Sequence, residues 1–193
     1  MSNDYLNAQQ MLSILQVARD KYGPREHAMF LLAFRHGLRA TEIANITLAD
    51  VRNGQIDVRR LKDSLHTVQP LQSHPNPLLD EPTVLAAWLD ARGDADGSVF
   101  LFTSRQGSAL SRRQIYRLFE AIAICAGIPA GLRNPHQCKH ALASLLIRSG
   151  VSLAYVQQAL GHKHISSTVR YTHISQSEAA VKVGNVMAQA FAA

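Results

Sequence analysis

Five spots in the 193-residue sequence carry side chains suited to holding and cleaving a phosphodiester. Arg39, in HGLRATEI, stands just before a helix start, where a guanidinium can fork two bonds onto a phosphate beside free helix N–H groups. Lys62, in RLKD, falls between two expected strands, where a turn exposes its amine. His136, Lys139 and His140 lie in PHQCKH at the start of a helix, and spacings of three and four bring them to one face. His162 follows the glycine of LGH at a helix end, and Tyr171 comes nine residues later in TVRYTH. Singly, each has an ordinary reading: a solvated arginine, a turn lysine, hydrogen-bonded histidines, a helix cap, a core tyrosine. Their occurrence together and in this order is what points to chemistry. A zinc site using His136, Cys138, His140 or His162 is not expected, because neither a CxxC nor an HExxH pattern is present.

The elements that must position these groups are mostly helices. Pro24 opens an apolar helix that Gly37 closes, and Ala28 to Phe34 is apolar all round, which assigns it to the centre of the core. A shorter helix follows, with the Thr41 hydroxyl available as its cap. Asn53-Gly54 is a hairpin turn between strands at Leu48–Arg52 and Gln55–Arg59, and a third strand runs from His66 to Leu71. Pro70–Pro77 reads as loop. A helix from Pro82 to about Arg92 presents Val84, Leu85, Trp88 and Leu89, and Val99–Thr103 is a short strand. Later helices run from Ser111 to Ala126, Pro135 to Ser149 and Ser152 to Leu160, closed by Gly127, Gly150 and Gly161. Ser166 caps a short helix holding Tyr171, and an amphipathic helix covers roughly Ser177–Ala190. The expected fold is mainly α with a small antiparallel β-sheet.

Charge indicates the partner. Residues 1–96 carry 10 basic and 12 acidic side chains, whereas residues 97–173 carry 9 basic and a single acid, Glu120. Such a segment repels itself without an anion, so nucleic acid is the first candidate and an acidic membrane surface the second. The longest apolar run is far too short to span a bilayer, and no signal peptide is visible. Two cysteines, Cys125 and Cys138, make no disulfide framework, which suits a reduced, cytoplasmic protein.

From about residue 5 to 180, the motifs resemble the tyrosine recombinase, or phage integrase, family. HGLRATEIANITLADV resembles its first box, with the first catalytic arginine; PHQCKHALASLLIRSGVSLAYVQQALGHKHISSTVRYTH resembles its second, with His-x-x-Arg, Leu-Gly-His and the nucleophilic tyrosine. The short length and the RLK string are most similar to the fimbrial phase-switch recombinases. One departure stands out: the box reads His136-Gln137-Cys138-Lys139, with lysine in place of the second arginine. Lysine keeps the charge but loses the planar fork.

The resemblance implies a site-specific recombinase. Tyr171 attacks the scissile phosphorus, releases a 5′ hydroxyl and remains as a 3′-phosphotyrosine, without cofactor or metal. Arg39, Lys139 and His162 are then placed to stabilise the phosphorane, Lys62 to protonate the leaving oxygen, and His136 to exchange a proton or hydrogen bond with the phosphate. His140 is a supporting neighbour of the box. Arg105, Arg112, Arg113 and Arg117 are the expected contacts to double-stranded DNA, with Lys163, Arg170 and Arg133 near the site. Residues 1–176 form the expected catalytic domain, without a complete N-terminal core-binding domain. Residues 177–193 form a helix that relatives dock on a neighbouring subunit, consistent with a tetramer on DNA and a nucleoid location. Two alternatives stand beside this: a DNA-binding regulator on the same fold with impaired cleavage, and a metal-dependent hydrolase using the histidines.

Overall fold

The structure is a computed structural model that describes residues 5–60, 64–93, 97–104 and 106–172, together with Val183, Met187 and Ala188. The expected C-terminal helix lies outside the described residues, apart from those three positions.

Helix α2 (Pro24–Arg35) is the axle of the fold. Every residue from Glu26 to Phe34 is buried, as a helix apolar on all sides requires. Around it lie α1 (Ala8–Val17), α4 (Glu81–Arg92) and α6 (His136–Arg148). Phe30 meets Phe119 edge-on at 5.2 Å and ties α2 to α5 (Arg112–Cys125). Helix α1 is an element not expected above, although its signal is local: Asn7 and Gln10 close a reciprocal capping box, and Met11, Ile14 and Leu15 form its buried stripe. The helix continues through a π turn at Ala18–Tyr22, which Gly23 ends.

Strands β1 (Val51–Arg52), β2 (Gln55–Val58) and β3 (Thr67–Pro70) form an antiparallel sheet in that order. The turn between β1 and β2 holds Asn53 at φ 53° and Gly54 at φ 70°, which explains the Asn-Gly pair. The first strand is shorter than expected, because Leu48–Asp50 closes a 3-10 turn before it. Val99–Thr103 is not a strand: Phe100 and Thr103 make single bridges to Thr47 and Ala109, so the segment links two loops instead of joining a ladder.

Helix α3 (Ala40–Asn45) starts two residues earlier than expected, with Arg39 and not Thr41 at its N-cap. Helix α5 opens on a Ser111–Gln114 capping box, and α7 (Leu153–Leu160) ends at Gly161. Helix α8 (Ser166–Val169) ends before Tyr171, which sits in the turn that follows. Among the described residues, no helix is long and apolar enough to cross a membrane.

Candidate active site

The site is assembled where the loop after α2, the end of β2, the start of α6 and the α7–α8 turn converge. Two glycines make that convergence possible. At Gly37 (φ +58°) a Cβ would stand 2.8 Å from Leu160 Cδ2 and 3.5 Å from Lys139 Cγ. At Gly161 (φ +63°) it would stand 2.9 Å from both Arg60 Nε and the Leu65 carbonyl oxygen. Both residues therefore supply a left-handed turn and the room for another segment to pass.

Arg39 is fixed by Glu42, one turn into α3. The Glu42 carboxylate accepts the Arg39 backbone N–H at 2.8 Å and its Nη1–H at 2.9 Å; Nη1 also donates to Ser64 Oγ at 2.8 Å. Among the described residues Nε and Nη2 of Arg39 have no partner, so one edge of a partly exposed guanidinium stays open. Glu42 in turn faces Arg60, whose side chain is fully buried and also donates to the carbonyls of His36, Gly37 and Ala159 and to Thr67 Oγ1. Burial works to raise the Glu42 pKa, but the Arg39 N–H and the charges of Arg60, Lys139 and Arg39 outweigh it and hold the carboxyl below its ordinary value.

Helix α6 divides its first turns between core and cleft. Cys138 is fully buried in the core, and burial pushes its thiol up to about 12, so it is inert. The Lys139 amine is buried and donates to the Leu160 carbonyl oxygen at 2.8 Å. Burial, with the charges of Arg60, Arg39 and Arg170, pushes it down to about 7, against the attraction of Glu42. Lys139 thus joins α6 to the end of α7 rather than standing free in the cleft. His136 is half-buried with its ring edge against Tyr116, 5.9 Å between centroids. Burial and then Arg112, Arg39 and Lys139 lower its pKa.

His162 is buried, with Nδ1 2.9 Å from Thr168 Oγ1, and its residue bridges to Ser64. Burial, then Lys139, Arg39, Arg170 and Arg60, push it down to about 4, so it is neutral at pH 7. Tyr171 is 7% exposed, and its Oη lies 2.8 Å from His140 Nδ1. Burial raises its hydroxyl to about 12, and the same cause, with His136, Arg170 and Lys139, lowers His140 to about 4. Tyr5 packs against both rings at 5.6 and 5.1 Å.

Of the expected site residues, Arg39, His136, Lys139, His162 and Tyr171 come together. Lys62 lies outside the described residues, although Arg60 and Ser64 on either side are at the site. Arg105 also lies outside them. Arg112, Arg113 and Arg117 are exposed on α5, and the Arg112 guanidinium lies 5.1 Å over the Tyr116 ring, linking that basic face to His136. Lys163 and Arg170 are exposed near the site; Arg133 is spent on the Ile128 carbonyl. Sequence reasoning missed Arg60, Glu42, Ser64, Thr168 and Tyr5. Only the first two left a signal: Arg60 continues the inward alternation of Ile56 and Val58, and Glu42 stands three residues after the N-cap. Among the described residues, no cluster of three or more His, Cys, Asp or Glu could hold a metal ion.

Residues 4–178 match the model of the phage integrase family. The type 1 fimbriae regulatory protein FimE of Escherichia coli K12 is 36% identical over 177 residues, covering 87% of this chain and 84% of FimE. In solved structures, the XerH site-specific recombinase bound to its difH substrate superposes with a TM-score of 0.74 at 22% identity, over 93% of this chain and 53% of XerH. A lambda integrase tetramer bound to a Holliday junction gives 0.68 at 21%, over 86% of this chain and 47% of the integrase. The chain spans about half the length of these two solved proteins, and at such identities they show the fold.

Proposed function

The chain belongs to the phage integrase family, and on that premise we propose that it is a site-specific DNA recombinase that cuts and rejoins DNA through Tyr171. The observation that carries the assignment of the nucleophile is the Tyr171 hydroxyl, hydrogen-bonded to a neutral imidazole beside the cations of Arg39, Lys139 and Arg170. A phosphodiester brought to the open edge of Arg39 meets that hydroxyl and the partners for its non-bridging oxygens together.

The roles follow from the charge states. Arg39, locked by Glu42, neutralises one phosphate oxygen and stabilises the second negative charge that develops in the phosphorane. His162 is neutral, and in the tautomer whose Nδ1 accepts from the Thr168 hydroxyl it donates Nε2–H to the phosphate. Lys139 holds the α6–α7 junction through Leu160, and its two remaining N–H groups serve the phosphate once that anion restores its full positive charge. His136 donates to the phosphate, and Lys62 protonates the leaving 5′ oxygen. The energy of the broken ester is kept in the phosphotyrosine, so resealing needs no nucleotide.

Arg112, Arg113 and Arg117 contact the duplex backbone, with Arg105, Lys163 and Arg170 nearer the cut. XerH bound to difH and lambda integrase on a Holliday junction support a duplex partner and a tetramer on DNA. Residues 1–176 act as the catalytic domain, and 177–193 dock on the neighbouring subunit. The test is a pool of nicked suicide duplexes with randomised sequence around the nick. Wild type captures a subset as an adduct that survives denaturation, and Tyr171→Phe captures none. A wild type that binds duplexes yet yields no adduct means the regulator reading is correct.

A further inference from the structure

We propose that His140 is the base that removes the Tyr171 proton as the phosphotyrosine bond forms. The inference deepens the recombinase reading and rests on it.

The geometry is direct. His140 Nδ1 is 2.8 Å from Tyr171 Oη, within proton-transfer reach. Among the described residues the Tyr171 hydroxyl has no other hydrogen-bond partner, and a buried O–H without an acceptor is costly. The arrangement that satisfies it has the phenol donating to Nδ1, with the imidazole proton on Nε2. His140 is then an acceptor already aligned on the proton that must leave. Tyr5 packs against both rings and restricts each from turning away.

The surroundings explain why the pair is silent without DNA. Moving the proton creates an imidazolium and a phenolate, both disfavoured by burial. The imidazolium also faces His136 and Lys139 on its own helix and Arg170 next to the tyrosine; among the described residues Tyr5, from the segment before α1, also packs against it. A phosphodiester at Arg39 adds one negative charge, and the phosphorane a second, so docked DNA turns a repelled imidazolium into an attracted one. In the step itself the Oη–H bond breaks and the proton goes to Nδ1. The Oη–P bond forms, and the P–O5′ bond breaks with its electron pair on the 5′ oxygen, which Lys62 protonates. On resealing, His140 returns the proton to Tyr171.

The test uses the full chain and a nicked duplex recovered from the randomised pool, comparing wild type, His140→Asn and His140→Ala in single-turnover adduct formation. Asparagine can accept the phenol's hydrogen bond but cannot take its proton. General-base loss predicts a fall of about 10²- to 10⁴-fold for both variants with duplex affinity retained, which also reports that they fold. The pH profile separates chemistry from support. Wild type should level off once His140 is neutral in the complex, whereas His140→Asn should keep climbing into the alkaline range as hydroxide takes over. Added imidazole should partly restore His140→Ala. Wild-type adduct with an undiminished His140→Asn rate, or a lowered profile of unchanged shape, overturns the role of His140 and leaves the recombinase reading standing. A wild type that yields no adduct on any duplex overturns both.

Discussion

Arg60 and Glu42 form an ion pair at 3.3 Å in which neither side chain is exposed to solvent. Glu42 uses its other oxygen on Arg39, so a buried cation and a catalytic cation share one carboxylate. Removing one partner of a buried pair typically costs about 3–5 kcal/mol when the other charge is left alone. In Arg60→Leu, Glu42 keeps Arg39, so stability in urea melts should fall by less than that, through the lost counter-ion and three backbone carbonyls that lose this donor. Glu42→Gln keeps the shape but releases Arg39 and takes the counter-ion from the buried Arg60, so both the cleavage rate and the melting temperature should fall. Equal rates for Glu42→Gln and wild type would mean that Arg39 needs no anchor.

Tyr171→Phe removes a hydroxyl whose described partner is His140. Duplex affinity in gel shifts should stay near wild type, and stability should change by about 1 kcal/mol, the net worth of one hydrogen bond. Denaturation-resistant adduct should vanish; adduct from the Phe variant would mean another side chain is the nucleophile.

Lys139 should leave a signature in stability against pH. Its ammonium is pushed down to about 7 in the fold, against about 10.4 in an unfolded chain. Between those values the unfolded state binds the extra proton, so stability rises with pH. The burden of burying the charge is full below pH 7 and is relieved above it. Thermal melts from pH 7 to 9.5 should show a positive slope for wild type relative to Lys139→Met. Parallel slopes would place the amine in water. In cleavage, Lys139→Ala should lose rate far more than affinity. Lys139→Arg should also cleave less well, because the wider fork replaces the compact amine that meets the Leu160 carbonyl.

Thr168→Val preserves volume at a fully buried position but deletes the partner of His162 Nδ1. Single-turnover cleavage should fall while duplex affinity holds, because only the histidine's orientation is lost. An unchanged rate would show that the neighbouring backbone alone fixes the ring.

Arg113 and Arg117 are exposed one turn apart on α5. Each phosphate contact adds about −0.9 to the slope of log affinity against log salt. Arg113→Ala/Arg117→Ala should weaken binding and flatten that slope in anisotropy titrations. A slope equal to that of wild type would put the duplex on another face.

Local signals in the sequence determined the helices, their glycine stops at Gly37, Gly127, Gly150 and Gly161, the Asn53-Gly54 hairpin, and the order of Arg39, His136, Lys139, His162 and Tyr171. Each depends on a neighbour within about one helical turn or on a backbone dihedral, so each is written in adjacent residues. The tertiary structure decided what those side chains face. Lys139 reaches a carbonyl 21 residues away, His140 a phenol 31 away, and Tyr5 both rings from the opposite end of the chain. Their charge states follow from the same packing, because desolvation and a ring of cations exist only once α6, α7 and the Gly37 loop have closed on one another. A spacing of three or four residues puts groups on one helical face; only the elements packed against that face determine whether an amine there binds phosphate or a backbone carbonyl.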